Sequence, residues 1–341
     1  MKEERKTKIG EELDKFFVVD IPVLSIIQPL FKALKKRQPG SMCLSAAQFI
    51  KKALPESDGL VLISTGLPMG GGVPETDGPV GAALLARALV LSFGVRVVIL
   101  SEDSSLSCIE GAFKGAGLHT IRLEERTPEK ITYLRPVYIK SMDLDNEACH
   151  RQCETILNAW RPDLVIAVER ASKNRRGLYQ GLSGRDISNW VSDIEYLFAR
   201  CCEKGVPTMG VADSGNELGM GMLRDELPDF VPQTPEALNH GGIIPVQSVD
   251  YLVAGSVSNW GCSAIVAGLG LLLERMDVLH APEHEIKSLE KCAEYGAIDG
   301  CHFFADPSSD GVTADEWAGL WRAIRGMIHR GLEDSKNWVE G

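Results

Sequence analysis

Short apolar runs alternate with helical segments from residue 59 onwards, and this alternation restricts the chain to few folds. Six runs have the continuous Val, Ile and Leu character of strands covered on both faces. They span residues 59–66, 95–103, 119–125, 163–170, 206–215 and 250–261. Helical segments separate or follow them, at residues 78–92, 104–116, 146–160, 187–204 and 259–276. The sequence therefore predicts a doubly wound, Rossmann-like α/β fold, with a mostly parallel sheet and helices on both faces.

The N-terminal part of the chain has a different pattern. Residues 24–36 and 45–54 show helical apolar periodicity, and the segment "RQPGS" separates them with a Pro-Gly break. We expect residues 1–55 to form an N-terminal helical extension and residues 56–341 to form the α/β catalytic domain.

Charge and cysteine usage exclude several classes of partner and location. The net charge of −11 repels nucleic acid and anionic membrane surfaces, so neither is expected as a partner. No apolar run reaches the roughly 20 residues of a membrane-spanning helix. The first residues lack a secretory or transit signal, which favours a cytoplasmic protein. The nine cysteines are scattered without a CxxC pair, so disulfides and structural zinc are not expected. The long apolar helices allow a homo-oligomer.

Ligands of doubly wound sheets bind beyond the carboxyl ends of the strands, so the loops there are the candidates for a site. The loop after the first run contains Gly71, Gly72, Glu75 and Asp77, and leads into a helix that begins near Pro79. The glycines are candidate substrate contacts, and the free N-H groups of the helix start suit an anion. An alternative is that Asp77 caps this helix. No GxGxxG follows the strand and no Walker lysine is present, so no nucleotide is expected.

The loop after the fourth run combines an acid with several basic side chains. Glu169 ends the run, and Lys173, Arg175, Arg176 and Arg185 follow in a loop too long for a simple connection. Arg185 is the candidate clamp for a substrate carboxylate, because a guanidinium binds both oxygens at once. A solvated basic loop is the alternative.

Acids and amides also follow the fifth and sixth runs. Asp213, Asn216 and Glu217 lie close to three glycines, Gly215, Gly219 and Gly221, and Asn259 stands near the end of the sixth run. If Asp213 and Glu217 meet Glu169 and Glu75, the carboxylates need protons or a cation between them. Mg²⁺ and Mn²⁺ are the cations that prefer oxygen ligands. The alternative is that Asp213 and Asn259 cap the helices after them while Glu217 faces solvent. No role in the site is assigned to the turn-rich segment 303–312.

Four segments together resemble the D-glutamate cyclase family. They are "GGGVPETDGPVGAALLARAL", "ERASKNRRGLYQGLSGRDI", "VADSGNELGMG" and "DYLVAGSVSNWG". The resemblance covers roughly residues 20–330, and it implies a hydro-lyase that interconverts D-glutamate and 5-oxo-D-proline with loss or gain of water. The polar positions that match are Glu75, Asp77, Glu169, Tyr179, Arg185, Asp213, Asn216 and Glu217.

The residues and the resemblance together imply which side chains are catalytic, which bind substrate and which hold a metal. Glu169, Asp77, Arg185 and Tyr179 are the expected catalytic residues. Gly71, Gly72, Asn216, Asn259 and Arg185 are expected to bind a small anionic substrate of the amino-acid type. Asp213, Glu217 and Glu75 are expected to hold a divalent metal, Mg²⁺ or Mn²⁺. A divalent-metal-dependent phosphatase of a small metabolite and a non-catalytic metabolite sensor remain alternatives.

Overall fold

The centre of the molecule is a sheet of seven parallel strands. In the computed structural model, which describes residues 1–20, 26–55, 58–123, 128–129 and 135–337, the strands are β1 (Leu60–Thr65), β2 (Arg96–Ser101), β3 (Thr120–Arg122), β4 (Val137–Ser141), β5 (Leu164–Val168), β6 (Thr208–Ala212) and β7 (Tyr251–Ala254). Their order across the sheet is β3-β4-β2-β1-β5-β6-β7. Each neighbouring pair is parallel. The predicted doubly wound α/β class is confirmed.

Helices cover both faces of this sheet. They are α1 (Glu3–Phe17), α2 (Ile27–Arg37), α3 (Met42–Ala53), α4 (Pro79–Phe93), α5 (Asp103–Gly115), α6 (Asn146–Thr155), α7 (Glu195–Lys204), α8 (Pro235–Asn239), α9 (Ser258–Leu273), α10 (Pro282–Glu294) and α11 (Ala314–Asn337). The chain moves across the sheet in opposite directions from β1 to β2 and from β5 to β6, so right-handed crossovers place α4 and α7 on opposite faces. α4 packs beside α5 and α9, whereas α7 packs against α6. In the described ranges, none of these helices is both long and apolar enough to cross a bilayer.

The packing of the core explains why the strand sequences are continuous apolar runs. Every residue of β1, β5 and β6 is buried, because helices lie on both faces of these strands. α9 is buried from Ser258 to Leu271 and is apolar around its whole circumference, as expected of a helix enclosed by others. α1, α3, α4 and α11 all contact it.

The N-terminal helices pack on the α/β part rather than standing apart from it. α1 and α3 contact α9, and α2 contacts β7. Their apolar side chains belong to the same hydrophobic cluster as those of the sheet. A domain boundary at residue 55 stays a prediction, and residues 56 and 57 lie outside the described part of the chain.

Three local expectations differ from the structure. β4 was not expected, and residues 308–313 form a small antiparallel hairpin of β8 (Ser308–Ser309) and β9 (Val312–Thr313). The helix expected over 187–204 begins only at Glu195. Ser192 explains this late start, because its backbone N-H donates to the buried Glu102 carboxylate (2.6 Å) and its carbonyl accepts from Arg170 (3.0 Å). Those backbone groups are therefore engaged in tertiary bonds instead of helical ones. The expected helix over 24–36 is seen from Ile27, and residues 24 and 25, like 124 and 125 of the third run, lie outside the described ranges.

Candidate active site

The candidate site lies where the strand order reverses. β1 and β5 are neighbours in the sheet, yet the chain leaves β1 towards one edge and later returns to continue from β5 towards the other. The carboxyl ends of these two strands therefore border a crevice, the usual ligand position in such folds. The loops after β1, β5, β6 and β7 all meet there.

Two of the helices beside this crevice cap each other. Asp77 precedes α4, but its carboxylate accepts the backbone N-H groups of Ser258 and Asn259 (2.8 Å each), which start α9. In return, the Asn259 side-chain oxygen accepts the N-H groups of Gly78 (3.1 Å) and Gly81 (2.6 Å), which start α4. The alternative that each residue caps its own following helix is wrong in both cases.

This exchange requires close packing of the two helix starts. A Cβ on Gly81 would lie 2.7 Å from the Asn259 Cα, and a Cβ on Gly78, whose φ is +92°, would lie 2.8 Å from the Glu169 Cβ. Only glycine fits there without displacing backbone. Because Asn259 occupies the N-H groups of Gly78 and Gly81, these two groups are not free for an anion, which disfavours the expected anion site at the start of α4.

Three carboxylates meet at the start of α9. One oxygen each of Asp77, Glu169 and Asp213 lies within 4.8 Å of the others, and all three side chains are buried. Ser258 touches all three, because its N-H donates to Asp77 (2.8 Å) and Asp213 (3.1 Å), and its hydroxyl donates to Glu169 (2.6 Å). Acids from three separate loops thus lie at the positive end of the α9 dipole, which stabilises negative charge.

Glu169 reaches this position through an unusual backbone. Its φ is +43°, in the left-handed region that non-glycine residues seldom adopt. Such conformations persist only where the surroundings impose them, and they concentrate at functional sites. Here the next residue, Arg170, is anchored by its buried ion pair with Glu102, which holds the chain in place after β5.

Two further acids complete the group. Glu75, from the loop after β1, and Asp310, from the turn between β8 and β9, line the same cavity as Glu169 and Asp213. The loop that carries Asp310 is built around the fully buried Asp299 carboxylate, which accepts N-H groups of Cys301, His302 and Gly311 and the hydroxyl of Ser308. We call Glu75, Asp77, Glu169, Asp213 and Asp310 the acid cluster.

Burial and mutual repulsion disfavour the ionised form of these acids. Burial is the largest cause, and it raises the pKa of Glu75, Glu169, Asp213 and Asp310 well above the ordinary range. Repulsion between the neighbouring carboxylates adds to the rise. Burial also raises the pKa of Asp77, although hydrogen bonds from the start of α9 oppose this. Among the described residues, no lysine or arginine forms an ion pair with any member.

Glu217 has a different task from the acid cluster. Its side chain is fully buried, so the alternative that it faces solvent is wrong. Its two oxygens accept the backbone N-H groups of Asp213 (3.2 Å), Ser214 (2.6 Å) and Gly215 (2.6 Å). These bonds favour a role in shaping the loop after β6 over a role as metal ligand, which stays a prediction.

A cavity of about 400 Å³ opens over the acid cluster. Its wall also carries Arg185, whose guanidinium carbon lies 5.8 Å from the centre of the Trp190 ring. In the described part of the chain, that guanidinium forms no ion pair. Asn216 lines the cavity too; its amide nitrogen donates to the Gln180 carbonyl (2.9 Å), while its buried side-chain oxygen has no hydrogen-bond partner among the described residues. The remaining wall is largely apolar, with Ile26, Ile27, Leu67, Met69, Leu182 and Ile187.

Four of the expected site residues lie elsewhere. Tyr179 is buried in a small apolar cluster and donates its hydroxyl to Asp193 (3.0 Å). Gly71 and Gly72 form a turn with positive φ outside the described cavity wall. The polar atoms of Asn259 all bind protein groups. Their catalytic and substrate-binding roles remain predictions that these contacts do not favour.

Two residues of the site were not expected from the sequence. Asp310 stands in the segment 303–312, whose turn residues do not by themselves indicate a function. Ser258 directly precedes Asn259 at a strand end, which was the available signal.

Comparison with known proteins identifies the family of the chain. The family described as D-glutamate cyclase-like, C-terminal, matches residues 26–325. The human mitochondrial D-glutamate cyclase is 28% identical to the chain over 221 residues, which is 62% of this chain and 33% of the human protein. The chain therefore aligns with about a third of that relative. The family match includes the loops after β1, β5, β6 and β7 and the loop of Asp310. The chain belongs to the D-glutamate cyclase-like, C-terminal family.

Proposed function

We propose that the chain is a hydro-lyase that interconverts D-glutamate and 5-oxo-D-proline with the assistance of a divalent metal. The observation that carries this proposal is one cavity lined by three buried carboxyl groups, by the half-buried Asp310 and by the Arg185 guanidinium, which forms no ion pair among the described residues. Such a wall suits a small substrate that bears both carboxylate and amine. The family membership supports the reaction class. A cytoplasmic location and homo-oligomerisation remain predictions from the sequence.

Arg185 and Asn216 are the proposed substrate-binding residues. The α-carboxylate of glutamate pairs with the Arg185 guanidinium, which the Trp190 ring supports from one side. The buried side-chain oxygen of Asn216 accepts an N-H of the substrate amine, which gives this oxygen the partner it otherwise lacks. With both ends held, the amine and the γ-carboxyl group are brought together for ring closure.

Glu169 is the proposed proton carrier. Ring closure requires the ammonium group to lose two protons and the departing carboxylate oxygen to gain two, so that the oxygen leaves as water. Because burial and the neighbouring acids raise the pKa of Glu169, its carboxyl group holds a proton more readily than an exposed glutamate does and can exchange it with the substrate. Its side chain lines the cavity, whereas that of Asp77 does not, which favours Glu169 of the two acids expected to move protons.

The acid cluster fits a divalent cation. Asp77, Glu169 and Asp213 present convergent oxygen ligands of the kind that Mg²⁺ and Mn²⁺ prefer. Buried carboxylates without a positive partner are costly unless a cation or protons accompany them. A cation held chiefly by Asp77 and Asp213, with Glu169 beside it, would act as a Lewis acid towards the γ-carboxyl oxygen and the negative charge that develops there.

The proposal is tested by supplying the purified protein with D-glutamate and Mn²⁺ and measuring 5-oxo-D-proline by chiral chromatography. We expect lactam to form from D-glutamate, and D-glutamate to form from 5-oxo-D-proline, with both reactions approaching the same equilibrium. Release of phosphate from small phosphorylated metabolites without lactam formation would instead establish the phosphatase alternative. Thermal stabilisation by D-glutamate without turnover in either direction would identify a sensor.

A further inference from the structure

Arg170 follows Glu169 in the chain and is buried behind the cavity. Its side chain is only 1% exposed and lies outside the described cavity wall. The guanidinium forms a two-pronged ion pair with Glu102, the residue after β2, which is equally buried. Buried ion pairs add little to the net stability of a fold, so this pair is better explained by the conformation that it fixes.

The pair joins separate loops of the site. The Arg170 guanidinium also donates to the carbonyl oxygen of Gly66 (3.0 Å), which follows β1. It donates further to the carbonyl oxygen (3.0 Å) and the hydroxyl (3.1 Å) of Ser192, which precedes α7. Glu102 in turn accepts the N-H (2.6 Å) and the hydroxyl (2.8 Å) of Ser192. One guanidinium therefore ties the start of the loop after β5 to the loops after β1 and β2 and to the segment before α7.

The main chain on both sides of the Glu169–Arg170 peptide is also held. The Glu169 N-H donates to the Val211 carbonyl (3.1 Å) in β6, and the Arg170 carbonyl accepts the N-H of Leu218 (2.7 Å) from the loop after β6. Between these bonds Glu169 has its φ of +43°, a conformation that persists only where the surroundings impose it. In this conformation the Glu169 carboxylate accepts the Ser258 hydroxyl (2.6 Å) and lines the cavity.

We propose that Arg170 is a positioning residue, whose bonds to three separate loops keep Glu169 in the left-handed conformation that directs its carboxyl group into the cavity. Arg170 acts on the reaction through Glu169, because its own side chain lies outside the cavity wall. This inference rests on the proposed function, since it assigns the geometry on which proton transfer by Glu169 depends.

The crystal structure of Arg170→Lys tests this proposal without reference to activity. Lysine keeps the positive charge but lacks the planar fork of donors, so it cannot bind the three loops in the same way. We expect Glu169 to leave the left-handed region and to lose its hydrogen bond to Ser258. Arg200→Lys, which alters an arginine of α7 that pairs with Glu154, is the matched control and should leave Glu169 in place. A Glu169 with unchanged φ in Arg170→Lys, still bonded to Ser258, would overturn the proposal.

Kinetics of the same variant separate a positioning role from a general structural one. We expect kcat for D-glutamate to fall about 10²-fold per folded chain, the scale of a misplaced reacting group, while KM changes less. Added to Glu169→Gln, the Arg170→Lys substitution should cause no further loss of kcat, because the group through which it acts is already absent. A second loss of the same size in the double variant would show that Arg170 supports the fold in general, and would overturn the proposal.

Ser192→Ala is a milder variant for the case in which Arg170→Lys does not fold. It removes one hydroxyl from the network and leaves the ion pair of Arg170 with Glu102 intact. We expect the same pattern with a smaller loss of kcat, about 10-fold. An unchanged kcat in a folded Ser192→Ala, together with an unfolded Arg170→Lys, would assign Arg170 to stability and overturn the proposal.

The crystal structure also separates this proposal from the function on which it rests. Movement of Glu169 in Arg170→Lys, with a parent protein that does not turn over D-glutamate, would retain the positioning role and remove the cyclase function. Turnover by the parent, with Glu169 unmoved in the variant, would remove the positioning role and leave the function in place.

Discussion

Replacement of Asp213 by asparagine is expected to lower kcat/KM for D-glutamate by about 10³-fold, the scale of losing one electrostatic stabiliser in an active site. Asparagine has the same shape and can still accept the N-H of Ser258, so the loop after β6 should keep its structure. The carboxylate charge, and with it the main link between the members of the acid cluster, is lost.

The same substitution should stabilise the metal-free protein. Burial, and then repulsion from Glu169 and Asp310, raises the pKa of Asp213, so its ionisation at neutral pH opposes folding. A neutral amide removes that repulsion, and thermal unfolding in the presence of a chelator should shift to higher temperature. A functional residue that lowers the stability of the folded protein typically shows this combination when it is replaced: activity is lost and stability is gained.

Steady-state kinetics and calorimetric unfolding check this prediction on the same preparation. Asp225→Asn, which removes an exposed acid from the surface, is the control and should change neither quantity. Parent-level turnover by the Asp213 variant would contradict its role in catalysis. A lower unfolding temperature would show that Asp213 supports the fold instead.

Replacement of Arg185 by glutamine is expected to raise KM for D-glutamate about 10- to 100-fold, because a charge-assisted hydrogen bond contributes about 1.5–3 kcal/mol. The acid cluster is untouched, so kcat should fall much less than KM rises. Arg185→Lys keeps the charge but loses the two-pronged contact and the stacking on Trp190, and it should lie between the parent and the glutamine variant.

Arg175→Gln provides a matched comparison for this experiment. Arg175 is an exposed arginine of the same loop, outside the described cavity wall, and its replacement should leave KM near the parent value. An equal rise of KM in both variants would indicate that the loop attracts anions by its general charge. An unchanged KM in Arg185→Gln would remove the proposed α-carboxylate contact.

The fold class could be predicted because its signals are local. β1, β5 and β6 are covered on both faces, so their apolar runs are continuous in the sequence. β4 was missed because Tyr138 and Lys140 interrupt its apolar character. The late start of α7 could not be predicted, because it depends on bonds from Ser192 to residues distant in the chain.

The candidate site could be predicted in part for the same physical reason. The carboxyl ends of parallel strands share one edge of a sheet, so Asp213 and Glu217 were expected to meet Glu169 and Glu75. The structure brings Asp213 and Glu169 together with Asp77, which was not expected in this group. Asp310 was not assigned, because it lies about a hundred residues beyond Asp213, outside the strand-helix alternation, in a loop shaped by Asp299.

The side-chain roles were harder to predict than the positions. Asp77 and Asn259 each cap the other's helix, and this depends on how α4 packs against α9 rather than on the residues next to them. Glu217 binds backbone N-H groups of its own loop, and a sequence pattern does not distinguish such a residue from a metal ligand. Three-dimensional packing decides both cases.

The most direct test is a crystal structure of the protein with Mn²⁺ and 5-oxo-D-proline, in which anomalous scattering locates the metal. We expect a manganese peak among the carboxylates of Asp77, Glu169 and Asp213, and the carboxylate of the lactam on Arg185. Manganese bound only outside the cavity, or a lactam that occupies a different surface, would contradict the proposal that these separate loops build one metal-assisted cyclase site.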